Sequence, residues 1–232
     1  LSSSSAASDV YKRQAFGKLT CMGDFFTHNL DHKVASNWDK WTQNYMIELR
    51  ASLGPRWDNC FMTAPIWRFS VCSGVLSDYS IYGVMMPSVD RVGRQFPLMI
   101  SSIVKGSGAV FVEHLARTET FEKMEDLALM TLEEDVTKET FIDQLNELDG
   151  LENPSNILIT EIENKSMISI AVESSCVANK LADNYISTKF KQPSIWSSVT
   201  NGGMKFLISD GLPNTEEMTN LYDNDSDFWK IQ

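Results

Sequence analysis

The chain has 232 residues, is 43% hydrophobic and carries a formal net charge of −11. That supplies a substantial core for one large domain or two small ones, and the negative charge argues against a general nucleic-acid binder. No run approaches the roughly 18 consecutive apolar residues of a membrane span, so the chain reads as soluble.

The first residues stand apart. Ser4–Gln14 reads SSAASDVYKRQ, the string given by in-frame translation of a transposase-type sequencing adaptor. Residues 1–14 are therefore set aside as an artefact expected to be disordered, and the native chain is expected to start near Ala15. A natural serine-rich flexible N-terminus is the competing reading. Leu1–Ala7 has neither the basic n-region nor the apolar h-region of a signal peptide.

Phe16–Leu19 is predicted as a short first strand ending in the Gly23-Asp24 turn. Asp31–Leu53 is a predicted helix, because Val34, Trp38, Trp41, Tyr45 and Leu49 recur at spacings of three and four. Its two tryptophans read as a core stripe rather than a ligand platform. Gly54-Pro55 stops it. Ile66–Val71, Tyr82–Met86 and Phe96–Val104 read as three strands, with connections short enough for an antiparallel meander. Ala109–Leu132 is helical, with Phe111, Leu115, Met124, Leu127 and Ala128 as core contacts. Its phase slips near Thr118–Thr120, which predicts a kink or two helices. Lys138–Leu148 repeats the helical pattern. Asn156–Ile162 and Met167–Val172 read as a hairpin, Cys176–Ile186 as a helix, and Ser194–Thr200 with Met204–Ser209 as a second hairpin around Asn201-Gly202-Gly203. Thr215–Tyr222 is a short final helix.

Hairpins mixed with helices fit an α+β layered domain, with a mostly antiparallel sheet flanked by helices. Residues 15–108 form an N-terminal α/β core, and this front half of the domain, with its three-strand meander between helices, looks longin- or roadblock-like by fold-level analogy. Residues 109–152 are an acidic helical segment, and residues 153–232 complete the same domain. Charge follows this division. Ala15–Thr118 has ten Lys/Arg and eight Asp/Glu, whereas Glu119–Glu152 has twelve acids against Lys123 and Lys138. Such a band either steers a basic partner or is a solvated face that aids solubility.

Equipment for catalysis is sparse. There is no G-x-S-x-G elbow, Walker A loop or GxGxxG fingerprint, and no cofactor is expected. Gly106-Ser107-Gly108 follows a strand and precedes a helix but lacks a P-loop ending, so it reads as a turn. His28 and His32 lack the glutamate of an HExxH site. His114 has no recognisable nucleophile motif nearby, and Glu133-Glu134-Asp135 reads as a solvated cluster. Cys21, Cys60, Cys72 and Cys176 have no zinc spacing and read as free thiols in a reducing cytosol.

The most informative stretch is Pro87–Leu98, PSVDRVGRQFPL. Here Asp90, Arg91 and Arg94 occupy a glycine-containing turn between two apolar runs. An Asp–Arg pair can lock such a turn, or an arginine fork can hold a carboxylate or phosphate. Taken in order, Phe16–Leu19 with Gly23–Phe25 (FGKL…GDF), Trp38 and Trp41, Thr63–Phe69 (TAPIWRF) and PSVDRVGRQFPL resemble the TagF/ImpM family of type VI secretion-associated proteins. The resemblance covers about residues 16–105 best and continues more weakly at Ser194–Trp196, Leu207–Pro213 and Phe228–Trp229. Thr20 departs from it, since the family usually has a proline there. The motif positions are Gly17, Lys18, Gly23, Asp24, Pro65, Pro87, Gly93 and Pro97.

The resemblance implies a non-enzymatic cytoplasmic factor that represses type VI secretion after translation. Its implied partner is the forkhead-associated scaffold protein of that system, with a functional link to the associated threonine kinase and phosphatase. Trp67, Arg68, Asp90, Arg91 and Arg94 form the expected contact surface, since Trp and Arg are frequent interface hot spots. In the alternative, Arg68, Arg91 and Arg94 clamp an anion with Asp24 or Asp90 as base. The chain is then a phosphate-ligand binder or weak phosphoryl hydrolase, which requires these side chains to converge in one pocket.

Overall fold

The computed structural model describes residues 12–104, 110–148, 177–200 and 203–229. Its strands are β1 (Gln14–Lys18), β2 (Phe25–His28), β3 (Trp67–Val71), β4 (Ser80–Met86), β5 (Leu98–Val104), β6 (Pro193–Thr200) and β7 (Gly203–Asp210). They form one seven-stranded sheet in the order β2-β1-β5-β4-β3-β6-β7. Every pairing is antiparallel. The helices are α1 (His32–Leu53), α2 (Trp57–Thr63), α3 (Val110–Ala116), α4 (Thr118–Met130), α5 (Lys138–Glu147), α6 (Val177–Lys189) and α7 (Thr215–Tyr222). The predicted α+β layout and the β3–β4–β5 meander are both present.

Strand alternation explains the layering, because successive side chains in a strand point to opposite faces. Trp67, Phe69, Val71, Ile81, Met85, Met99 and Trp196 lie in one core with Trp38 and Leu49 of α1, Phe61 of α2 and Leu221 and Tyr222 of α7. Tyr82, Val84, Met86, Leu98, Ile100 and Val104 lie in a second core with Phe121, Met124 and Leu127 of α4 and Phe141 and Leu145 of α5. The sheet is thus covered on both faces. Asp31 caps α1, accepting from the Lys33 and Val34 amides at 2.8 and 3.3 Å, and Trp38, Phe69 and Trp196 form a mutually contacting ring cluster.

Several expectations are corrected. The structure adds β2, after the expected Gly23-Asp24 turn, and α2, beyond the expected helix stop at Gly54-Pro55. The phase slip at Thr118–Thr120 marks a break at Arg117 between two separate helices. In α3 the buried residues are Val112 and His114, while Phe111 and Leu115 are half-buried. Gln14 and Arg13 are not disordered. A ladder pairs backbone whatever the side chain, so Gln14 continues β1 opposite Ser101. Arg13 donates to the Tyr82 hydroxyl at 2.5 Å and the Leu148 carbonyl at 3.1 Å. The predicted hairpin at Asn156–Val172, the Gly106–Gly108 turn, Cys176 and the Asn201-Gly202 turn lie outside the described residues.

Gly17 shows why one motif position is glycine. Its φ is +137°, and a Cβ there would sit 2.2 Å from the Pro97 carbonyl oxygen. Gly17→Ala is expected to destabilise by roughly 2–4 kcal/mol. At Gly23 a Cβ meets only the Arg91 side chain at 3.6 Å, so Gly23→Ala should stay within about 1 kcal/mol. Urea unfolding of the two variants checks the contrast.

Candidate functional site

The segment between β4 and β5 folds back on itself through an isolated bridge, Val89 with Gln95. Asp90 lies at its centre and is buried. Its Oδ1 accepts from the Val92 and Arg94 amides at 3.1 and 2.8 Å. Its Oδ2 accepts from Lys18 Nζ at 2.6 Å and Arg94 Nε at 2.7 Å. Burial acts to raise the Asp90 carboxyl, yet the Lys18 ammonium, the Arg94 amide and guanidinium, and the Val92 amide together hold it well below the usual carboxylate range. Lys18 ends β1, is buried, and lies 4.5 Å from the Phe25 ring centroid. Arg94 also donates to the Gly23 carbonyl, and the Arg91 amide donates to Met22 at 2.7 Å. Gly93 turns the chain at φ +83°. Of the two roles the turn allowed, the structure shows the lock: Asp90 ties the β4–β5 connection to β1 and to the Gly23 loop.

A second ionic group lies beneath α4. Arg68 points from β3 to Glu125, with Nε–Oε1 and Nη2–Oε2 both at 2.7 Å. Beside it His114 is buried between two serines, Ser70 Oγ at 2.9 Å from Nδ1 and Ser197 Oγ at 2.8 Å from Nε2. Burial, with a contribution from the Arg68 charge, pushes His114 down to about 3, so the ring is neutral and bridges β3 to β6. Arg117 pairs with Glu113 and stacks on Tyr82 at 4.2 Å.

The five residues expected to form one contact surface are therefore not together. Trp67 is core: it is 1% exposed, donates to the Leu221 carbonyl at 2.9 Å and stacks on Trp229. Arg68 is buried on the opposite face of the same strand, and Asp90 is sealed in its turn. Arg91 and Arg94 alone are exposed. Nor do the arginines converge on an anion, because Arg68 and Arg94 are held in separate ion pairs with Glu125 and Asp90. Asp24 is exposed and accepts from the next amide, Phe25.

Pro65 and Pro87 do share a place. They line a hollow of about 500 Å³ with Met62, Met86, Leu129 and Val199, which sequence reasoning missed. Among the described residues no group of His, Cys, Asp and Glu is placed to hold a metal, and no helix is long and apolar enough to cross a membrane. Burial raises the thiols of Cys21, Cys60 and Cys72, which disfavours thiolate chemistry.

The comparisons with known proteins agree with this fold. The crystal structure of PA0076 from Pseudomonas aeruginosa PAO1 superposes with a TM-score of 0.80 at 25% identity, covering 95% of this chain and 98% of that one. No curated protein matches the chain. The family profile described as TagF N-terminal domain, type VI secretion system-associated, matches residues 14–148, which include β1 to β5, the Asp90 lock and both acidic helices α4 and α5. The chain belongs to this TagF family of type VI secretion-associated proteins.

Proposed function

We propose that this chain is a non-enzymatic, cytoplasmic regulator that represses type VI secretion after translation by binding a component of the apparatus. The forkhead-associated scaffold protein is the proposed partner, within the pathway of the associated threonine kinase and phosphatase. The observation that carries this reading is family membership over residues 14–148. The turn that bears the family's charged motif also supports it: Asp90 is paired with both Lys18 and Arg94, and the group builds the fold. The proposed mechanism is occlusion. A regulator that prefers the unassembled component lowers the population able to assemble, by tenfold for about 1.4 kcal/mol of preference.

The test is co-purification of the chain with the forkhead-associated scaffold from the same secretion cluster, at low and moderate salt. A stable complex is expected, with a dissociation constant below tens of micromolar. No complex at that concentration would sink direct scaffold capture.

A further inference from the structure

We propose that the hollow beside α4 is a docking groove for a basic amphipathic helix of a protein partner. This rests on the reading of the chain as a binding regulator, and adds to it a surface and a partner chemistry.

The floor of the groove is apolar and open. Met62, Leu129 with Leu132, and Val199 come from three separate places in the chain and line one hollow. Each keeps 48–60% of its surface in solvent. Met204 stands directly opposite Val199 in the β6–β7 ladder, so it extends the same face, and it is 59% exposed. Single exposed hydrophobics need no explanation, but five brought together mark an interaction surface.

The rim is acidic. Glu122 and Asp126 precede Leu129 by seven and three positions, which puts them on its side of α4, whereas Glu125, which also lines the hollow, is held by Arg68. Glu133, Glu134 and Asp135 follow Leu132 directly and are exposed. Lys123, the one base on α4, is paired with Glu119. An apolar floor within an acidic rim complements a helix with large apolar side chains on one face and lysines or arginines along its flanks. A second copy of this chain fits less well, because an isologous dimer about this patch would set one acidic rim against another.

The probe is a fluorescein-labelled peptide designed as an amphipathic helix, with leucines on one face and lysines on both flanks. Anisotropy against the full chain is expected to show saturable binding. A scrambled peptide of identical composition should bind at least about tenfold more weakly. Leu129→Ser with Leu132→Ser, both at exposed positions, should leave the melting temperature nearly unchanged and weaken the designed peptide at least about tenfold. Glu122→Gln with Asp126→Gln should weaken it severalfold and flatten its salt dependence. Equal binding of the scrambled peptide, or unchanged binding by the leucine variant, overturns the proposal. So does a wild-type dimer that the leucine substitutions dissociate, or displacement of the probe by a peptide of residues 149–176, since either gives the groove another occupant. The same variants separate this inference from the functional reading. Scaffold binding that survives Leu129→Ser with Leu132→Ser refutes the groove as the scaffold site and leaves the regulator reading standing. Peptide binding without any scaffold binding supports the groove and removes the scaffold as partner.

Discussion

Asp90→Ala should lower the melting temperature by roughly 10 °C, because it strands the buried Lys18 ammonium and removes the acceptor for two amides and a guanidinium. The isosteric Asp90→Asn should cost less, since its side-chain oxygen can still accept from the Val92 and Arg94 amides that now bond Oδ1. Lys18→Met removes the other charge, and Lys18→Met combined with Asp90→Asn should lose less than the two single changes summed. The pH dependence has a definite sign. A carboxyl held below its ordinary range contributes stability that is complete above about pH 4 and is lost as the pH falls through the depressed value. Thermal unfolding from pH 5 downwards should therefore show a shallower acid slope for Asp90→Asn than for wild type. Equal melting temperatures for Asp90→Ala and wild type would show that this cluster does not hold the turn.

His114 governs a different window. Its ring is buried neutral, pushed down to about 3 by burial and the nearby Arg68 charge from the ordinary 6.5 of a histidine. Between these values the unfolded chain binds a proton that the folded one refuses. Stability from this group is therefore intact above about pH 6.5 and falls on acidification by roughly 1.4 kcal/mol per pH unit. His114→Gln keeps polar atoms between Ser70 and Ser197 but cannot titrate. Urea unfolding from pH 7 to pH 4 should show the wild type losing stability along this limb and the variant nearly flat. Parallel curves would mean that the buried ring is not the group that titrates. Because the Asp90 window lies below that of His114, the two variants flatten separate parts of one stability profile.

Much of the fold was legible because the signals were local and repeated. The three-and-four spacing from Val34 to Leu49 needs one helix face against a core, and Thr215–Tyr222 was bounded by its own capping residues, Asn214 with Glu217. The missing elements carried weaker signals. β2 is four residues on the sheet edge, with exposed Phe25 and Thr27 alternating with buried Phe26 and half-buried His28, a pattern too short to stand out in sequence. α2 is one short helix entered directly from a 3-10 turn at Gly54–Arg56. Trp67 was misplaced because a tryptophan next to an arginine reads as a contact pair. In a strand paired on both sides, neighbouring residues point to opposite buried faces, and the alternation of Trp67, Phe69 and Val71 with Arg68 and Ser70 was the signal for that. The Asp90 turn was legible as a cluster, but its geometry decided between a lock and an anion fork. The groove was hidden because Met62, Leu132 and Val199 meet only in three dimensions. The surplus apolar residues Leu129 and Leu132, outside the core-facing set of α4, were its one trace in the sequence.

The joining of β3 to both β4 and β6 has a consequence for synthesis. Trp196, Leu207, Met218, Leu221 and Tyr222 all belong to the core that covers Trp38, Trp67 and Phe69. As the chain leaves the ribosome, β3 acquires β4 at once, but its other edge and the aromatic face below it wait for more than a hundred further residues. The nascent molecule therefore carries a half-roofed aromatic surface and an unpaired strand edge through most of its translation. This is the interval in which it is most open to chaperones and to misassociation.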